Sequence, residues 1–390
     1  MIMNKFCKID GIFEKEYSLK PTRHFMSYGR LEIIGNHTDH QRGHCIVATC
    51  SQGIKGAIKE RKDGHIRFFS EGYGSFEMDV KHLEMKKEEM GRPISLVKGV
   101  LNGLKKFGYE IGGFDSAIIS DIYKGAGVSS SAAFELYVAE VENVLYNQGR
   151  VSKIEKAKIG QYAENVYFGK ASGLLDQCGS SFGGVSYLDF SDLENPLVEP
   201  LPFPKWPLKI VLVNPGSSHA GLSDLYSEMP NDMKEVAKTV FHKEVLSEVP
   251  LEEFYQKIHL ARIDDRQRLR ALHYVGEDQR VERAKKAFED GNFDWFLELE
   301  KESQLSQMAL LHNVMIRRNY QKSPLEAVER ASLYLKRGSA RVMGGGLAGS
   351  IICFVPEEEY GIFMEGMEKY YSKENILEVF IPEEGAHEEK

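Results

Sequence analysis

The stretch from Gly113 to Gln148 constrains the fold more than any other part of the chain. GFDSAIISDIY reads as a β-strand, KGAGVSSSAA as a run of glycines and small hydroxyl residues, and Ser131 to Gln148 as a helix. In that helix Phe134, Val138, Val141 and Leu145 recur at helical spacing, and Gly149 stands where a C-terminal cap would. A strand that passes through such a loop into a helix needs both elements packed on one core, so the chain must mix sheets and helices. The loop from Lys124 to Ala133 suits an anion, because glycines allow close approach and a helix N-terminus presents backbone N–H groups. A tight turn with Ser129 or Ser130 as N-cap accounts for the same residues. The GxxxxGK[ST] spacing of a Walker loop is absent.

A chain of 390 residues is long enough for two domains. Its net charge of -8, with basic residues scattered among acidic ones, argues against a nucleic-acid footprint and for a small-molecule partner. The five cysteines form no CxxC pair and are a poor disulfide framework, so a cytoplasmic protein is expected. No apolar run approaches the roughly 18 residues that span a bilayer. A monomer or weak homodimer is expected.

The first half is β-rich from Tyr28 to about Val80 before it turns helical. A second helix follows Ser152, whose spacing to Glu155 fits a capping box, with Ile159, Tyr162, Ala163, Val166 and Tyr167 on one face. Asp176 falls in a loop of small residues twelve positions after Glu164, so two carboxylates can approach one site. The proline-rich run DLENPLVEPLPFPKWP suggests a boundary between domains at 1–195 and 205–390. The second half opens with a strand, Leu208 to Val213, continues through long helices between Asn231 and Lys322, and returns to strand after GGGLAGS. That glycine run fits a hairpin or a packed turn as well as a binding loop. The tail IPEEGAHEEK reads as a solvated end.

Near the N-terminus, GRLEIIGNHTDHQRGHC leads an apolar run into a polar cluster. On a strand His37 and Asp39 would share a face. For an isolated His-x-Asp a structural hydrogen bond explains the pair, and His40 and His44 make no convincing metal set.

The motifs taken jointly resemble those of the galactokinase branch of the GHMP small-molecule kinases. GRLEIIGNHTDH resembles the signature GRxNxIGEHTDY, GAGVSSSAA resembles the phosphate loop GxGLSSSAA, and GSARVMGGGLAGS resembles the third motif GSRMTGGGFGGC, in the family order. AENVYFGKASGLLDQ looks like the segment carrying a metal-binding acid and the catalytic aspartate, and HAGLSDLY and RALHYVGEDQR resemble weaker landmarks. The resemblance implies an α+β, two-domain GHMP kinase fold of mixed sheets and helices, with the active site in the interdomain cleft. It implies ATP and Mg2+ as cofactors, and transfer of phosphate to the C1 hydroxyl of a galactose-configured sugar. By the same resemblance Gly125, Gly127, Ser129, Ser130, Ser131 and Ala132 embrace the ATP phosphates, while Ser131 and Glu164 hold the metal. Arg30 and Asp176 are the expected catalytic pair; Asn36, His37, Asp39, His40, Gly173 and Tyr226 are the expected sugar contacts.

The departures concern the sugar. The family glutamate that bonds the C6 hydroxyl is Asn36 here, and the tyrosine is His40. An amide tolerates a carboxylate at C6, where two charges about 4 Å apart repel by roughly 4 kcal/mol at an effective dielectric near 20. HTDHQ also resembles the HIDHQGG run of the plant galacturonokinases, so galacturonate rivals galactose, with His40 or Arg42 as the cation. The family arginine pair after Tyr226 is replaced by Met229 and Pro230. A non-catalytic sugar and nucleotide sensor is the rival of another class; a sensor has no need to keep Arg30, Asp176 and Glu164 together.

Overall fold

The computed structural model describes residues 6–389 except 123–125, 171, 218–220 and 317–321. The expected phosphate-loop residue Gly125 and the landmark His219 lie outside the described residues.

Among the described residues, seven strands belong to the first half: β1 (Arg23–Ile34), β2 (His44–Arg61), β3 (His65–Ser70), β4 (Gly74–Asp79), β5 (Gly113–Ser120), β6 (Val185–Asp189) and β7 (Leu197–Leu201). A second sheet holds β8 (Leu208–Val213), β9 (Ser339–Val342), β10 (Ile351–Pro356) and β11 (Ile376–Val379), all antiparallel, in the order β11-β8-β10-β9. The last strand, β12 (His387–Glu389), returns to the first sheet, whose order is β12-β1-β2-β5-β3-β4 with β6 and β7 branching from β2. β2 is long enough to serve two neighbours on one side: Ile54–Arg61 pair with β5, and His44–Ala48 pair with β6.

Within the proline-rich run Leu197–Leu201 forms β7, on the edge of the first sheet. One expectation needs correction here. The tail is not a solvated end: β12 pairs with β1, the Ala386 N–H bonds the Ser180 carbonyl at 3.3 Å, and the Gly184 N–H bonds the Pro382 carbonyl at 2.7 Å. A short polar strand satisfies an open sheet edge as well as an apolar one does, so polarity misled.

The helix expected after the serine run spans Ser130–Asn147, with Tyr137, Val138 and Val141 buried against Phe25, Phe68 and Phe114 of the first sheet. Ser152 and Glu155 form the reciprocal capping box of the helix Lys153–Tyr162. That helix passes into one π-turn, Ala163–Phe168. The extra residue rotates the side chains, so Val166 is 42% exposed instead of buried, while Ala163, Glu164 and Tyr167 face inward. In the second half the helices Ser223–Phe241, Asp265–Glu289 and Phe293–Ser306 dominate, the first starting before Asn231 and running through Pro230. One apolar core joins the two sheets: Leu31, Ile33 and Ile46 pack with Ile210, Leu212, Phe296 and Phe354. Residues at the end of β1 therefore lie where the two halves meet.

Candidate active site

Arg30 sits in β1 where the register with β2 shifts, and its backbone N–H leaves the ladder to bond the Val128 carbonyl at 2.9 Å. A Cβ on the preceding Gly29 would fall on that same carbonyl, so the glycine is what allows β1 to touch the loop. The Arg30 guanidinium spans three segments. Nε donates to Asp176 Oδ1 at 2.8 Å, Nη2 approaches the same oxygen at 2.7 Å, and Nη1 donates to the Gly127 carbonyl at 2.5 Å. Ser129 Oγ donates to the other Asp176 oxygen at 2.7 Å. Burial alone would raise the Asp176 carboxyl, but Arg30, Lys170 and the Ser129 hydroxyl together bring it below the ordinary value. Asp176 is thus a carboxylate at neutral pH. It lies in the first turn of the helix Leu175–Phe182, not in the loop the small residues suggested.

The loop itself bears on the two readings of its serines. Ser129 precedes the helix Ser130–Asn147 in a left-handed conformation (φ 58°), and its side chain makes no capping bond. The N-cap account therefore fails, because the hydroxyl is turned to Asp176. Ser130 is exposed and Ala132 is buried. Ser131 Oγ donates to Glu164 Oε1 at 2.6 Å.

Glu164 is fully buried, and the π-turn delivers it into a ring of donors. Lys170 Nζ reaches Oε1 at 2.7 Å; Ser172 Oγ and Gln177 Nε2 reach Oε2 at 2.6 and 3.0 Å. A hydroxyl and a carboxylate beside a helix N-terminus are hard oxygen donors of the kind Mg2+ takes, and the Lys170 ammonium already places positive charge on the oxygen that a cation would share. Among the described residues no group of three or more His, Cys, Asp or Glu side chains could hold a metal unaided.

The expected sugar contacts are less uniform. Gly35 (φ 106°) and His37 (φ 60°) open a tight turn, and Asp39–Gln41 is one turn of 3-10 helix, so His37 and Asp39 do not share a strand face. Thr38 Oγ1 pins the turn to the Gly35 and His44 carbonyls at 2.8 and 2.6 Å. Asp39 lies against Gly173, where any Cβ would overlap its carboxylate. Burial, and then the nearby Asp176 carboxylate, raise Asp39 to about 6. Asn36 is the largest departure from expectation. It is fully buried, its Nδ2 donates to Glu32 Oε1 at 2.8 Å and to the Gly344 carbonyl at 2.6 Å, and its Oδ1 accepts from Asn313 Nδ2 at 2.9 Å. The amide is not turned to an open pocket. Neither expected cation is placed for a C6 carboxylate: Arg42 is bound to Glu244 and Glu248 at 2.7 and 3.2 Å, and burial holds His40 neutral, far below the ordinary histidine value. Tyr226 Oη donates to the Gly346 carbonyl at 2.8 Å.

Several participants escaped the sequence reading. Lys170 lies inside AENVYFGKASGLLDQ and Glu277 inside RALHYVGEDQR, so both stood in noted segments without a role. Glu277 Oε1 accepts the backbone N–H groups of Gly35 and Asn36 at 3.2 and 3.1 Å, and Ser303 Oγ at 2.7 Å. Asn313, in LLHNVM, carries no signal in the local pattern of the sequence.

Residues 95–184 match the GHMP kinases N terminal domain, and residues 12–60 match the galactokinase galactose-binding signature. The chain is 31% identical over 382 residues to a galactokinase of Lactococcus lactis subsp. lactis, covering 95% of this chain and 91% of that one. It is 28% identical over 365 residues to a galactokinase of Clostridium tetani, covering 93% and 91%. Among solved structures, Lactococcus lactis galactokinase complexed with galactose superposes with a TM-score of 0.85 at 28% identity, covering 99% of this chain and all of that one. Methanococcus jannaschii mevalonate kinase shares the fold at a TM-score of 0.67 and 16% identity, over 92% and 98% of the two chains.

Proposed function

Because the chain belongs to the galactokinase family of GHMP kinases, we propose that it transfers the γ-phosphoryl group of ATP to the anomeric C1 hydroxyl of galactose, forming galactose 1-phosphate and ADP. The observation that carries this reading is the Arg30–Asp176–Ser129 constellation at the junction of the phosphate loop and the sugar turn. Phosphoryl transfer asks mainly for alignment and for neutralisation of charge on the transferring group. Asp176, held ionised, accepts the hydrogen bond of the C1 hydroxyl and orients its oxygen toward the γ-phosphorus. Arg30 supplies positive charge to the transferring oxygens and steadies Asp176.

Gly127, Ser129, Ser130, Ser131 and Ala132, with Gly125, are the residues assigned to the nucleotide phosphates. Ser131 and Glu164 are assigned to magnesium, which when bound offsets phosphate charge. Asp39 takes the C3 and C4 hydroxyls, where an ionised carboxylate accepts from both; Gly173 leaves room for it, and His37, His40 and Tyr226 border the sugar. Two domains, divided near residues 195–205, form the cleft. The five unpaired cysteines, four of them buried, accord with a cytoplasmic enzyme.

The test is ADP release with ATP and magnesium, comparing galactose, galacturonate, glucose and no sugar. Galactose is the expected substrate. Binding of galactose and ATP without turnover would make the protein a sensor, and turnover on galacturonate alone would replace the substrate. Asp176→Asn is expected to lower kcat at least 100-fold with the ATP KM nearly unchanged; an unaltered kcat would remove Asp176 from the mechanism.

A further inference from the structure

Three consecutive peptide carbonyls of the glycine run, Gly344, Gly345 and Gly346, are each held by a side chain that the motif resemblance assigns to the sugar. Asn36 Nδ2 holds the first at 2.6 Å, His37 Nε2 the second at 3.2 Å, and Tyr226 Oη the third at 2.8 Å. A carbonyl only accepts, so His37 must carry its proton on Nε2. Its Nδ1 then accepts from His40 Nε2 at 3.2 Å, and His40 Nδ1 accepts from Gln41 Nε2 at 3.2 Å. Gln41 Oε1 in turn accepts the Leu246 N–H at 3.1 Å. Every ring nitrogen in this chain meets a partner of the right kind, with both rings neutral.

The grip matters because of what the glycines touch on their other side. A Cβ on Gly344 would stand 3.5 Å from Arg30 Nη2 and 4.0 Å from the Gly127 carbonyl, which Arg30 itself holds. The glycine run is therefore the segment of the second half that stands against Arg30 and the phosphate loop. Asn313 backs it: its backbone carbonyl accepts the Leu347 N–H, and its side chain lies in the way of any Cβ on Gly346.

We propose that Asn36 is a positioning residue for phosphoryl transfer, whose amide, clamped between Glu32, Gly344 and Asn313, fixes the glycine run against Arg30 and does not read the C6 substituent of the sugar. The proposal rests on the sugar kinase reading above. Both donors of the amide are already engaged, one with Glu32 and one with the Gly344 carbonyl, and its oxygen already accepts from Asn313. To donate to a C6 oxygen it would have to release either the Glu32 carboxylate, which keeps Arg341 as a partner, or the buried Gly344 carbonyl, which would lose the side chain that holds it.

The experiment measures kcat and KM for galactose and for 6-deoxygalactose in the unaltered protein, Asn36→Ala and Asn313→Ala, with thermal melting of all three. Asn313→Ala breaks the same bond from the other side and makes the test independent of how well the first variant folds. Both variants are expected to lose about tenfold or more in kcat: Asn313→Ala removes one buried hydrogen bond of the Asn36 amide, and Asn36→Ala removes all three. KM for each sugar should stay within about threefold, and the galactose to 6-deoxygalactose ratio of kcat/KM within about twofold. A ratio that collapses in Asn36→Ala but not in Asn313→Ala would overturn the proposal and make Asn36 a C6 contact. An unchanged kcat with only a lowered melting temperature would overturn it as well. If the unaltered protein turns over no galactose, the functional reading falls and this proposal with it; turnover with a changed ratio sinks the proposal alone.

Discussion

Asp39 is the residue whose protonation should be visible in the kinetics. Its carboxyl is raised to about 6 from an ordinary 3.8, so between those values the folded protein holds a proton that the unfolded chain releases. The advantage this gives the fold is complete below about 4 and is lost as pH rises past about 6. Sugar binding runs the other way, because only the ionised group accepts from two hydroxyls. The galactose KM is expected to rise several-fold as pH falls from 7.5 to 5.5, and Asp39→Asn should raise KM and flatten that profile; a wild-type KM constant over this range would contradict the assignment. Asn36 shows what sequence could and could not convey at this scale. Set against GRxNxIGEHTDY, the chain has lost a carboxylate at position 36, which was legible. It has also gained one at position 32, and only the fold shows that Glu32 and Asn36 bond each other at 2.8 Å. The acid has moved one residue pair away, to where Glu32 Oε1 also meets Arg341 Nη1 at 2.9 Å. A contact across more than 300 residues leaves no trace in local pattern.

At the scale of elements, the site depends on two irregularities. The strand–loop–helix passage around Ser129–Ser131 was readable because periodicity and glycines report it locally. The π-turn Ala163–Phe168 was not, since one inserted residue changes no composition, yet it directs Glu164 inward. Glu164→Gln keeps the size but removes the charge, and is expected to raise the magnesium concentration for half-maximal rate about tenfold; a magnesium titration decides it, and an unshifted midpoint would remove Glu164 from the metal site. The helix Leu175–Phe182 offers a second test. Gly179 passes Arg30 so closely that an added Cβ would stand 2.6 Å from the Arg30 Cβ. By helix propensity alone Gly179→Ala should stabilise by about 1 kcal/mol. The close approach wins, because the atom met is the root of a side chain anchored at both Asp176 and Gly127. A loss of roughly tenfold in kcat is expected, and undiminished turnover would show that Arg30 has more freedom than its contacts imply.

For the molecule as a whole, the two halves are joined by buried charge as well as by apolar surface. Arg341 of β9 is wholly buried; it donates to Glu32 Oε1 and Glu300 Oε2 at 2.9 Å each, and to the Glu32 and Ile33 carbonyls of β1 at 2.7 Å each. Those carbonyls belong to the stretch where β1 loses register with β2, so the arginine satisfies what the ladder leaves open. Burial lifts the Glu300 carboxyl to about 7 despite that partner. Arg341→Met would leave two buried acids without their counter-charge, and a loss of about 3–5 kcal/mol is expected in urea unfolding; a loss below about 1 kcal/mol would mean that water or protonation replaces the arginine.

The return of β12 to β1 sets an order of events during synthesis. His24, Phe25 and Met26 pair with Glu389, Glu388 and His387, so one flank of the first sheet waits for residues made more than 360 positions later. While the ribosome works through the second half, the nascent β1 presents bare N–H and C=O groups to its surroundings. That flank is closed only when β12 emerges and pairs with it.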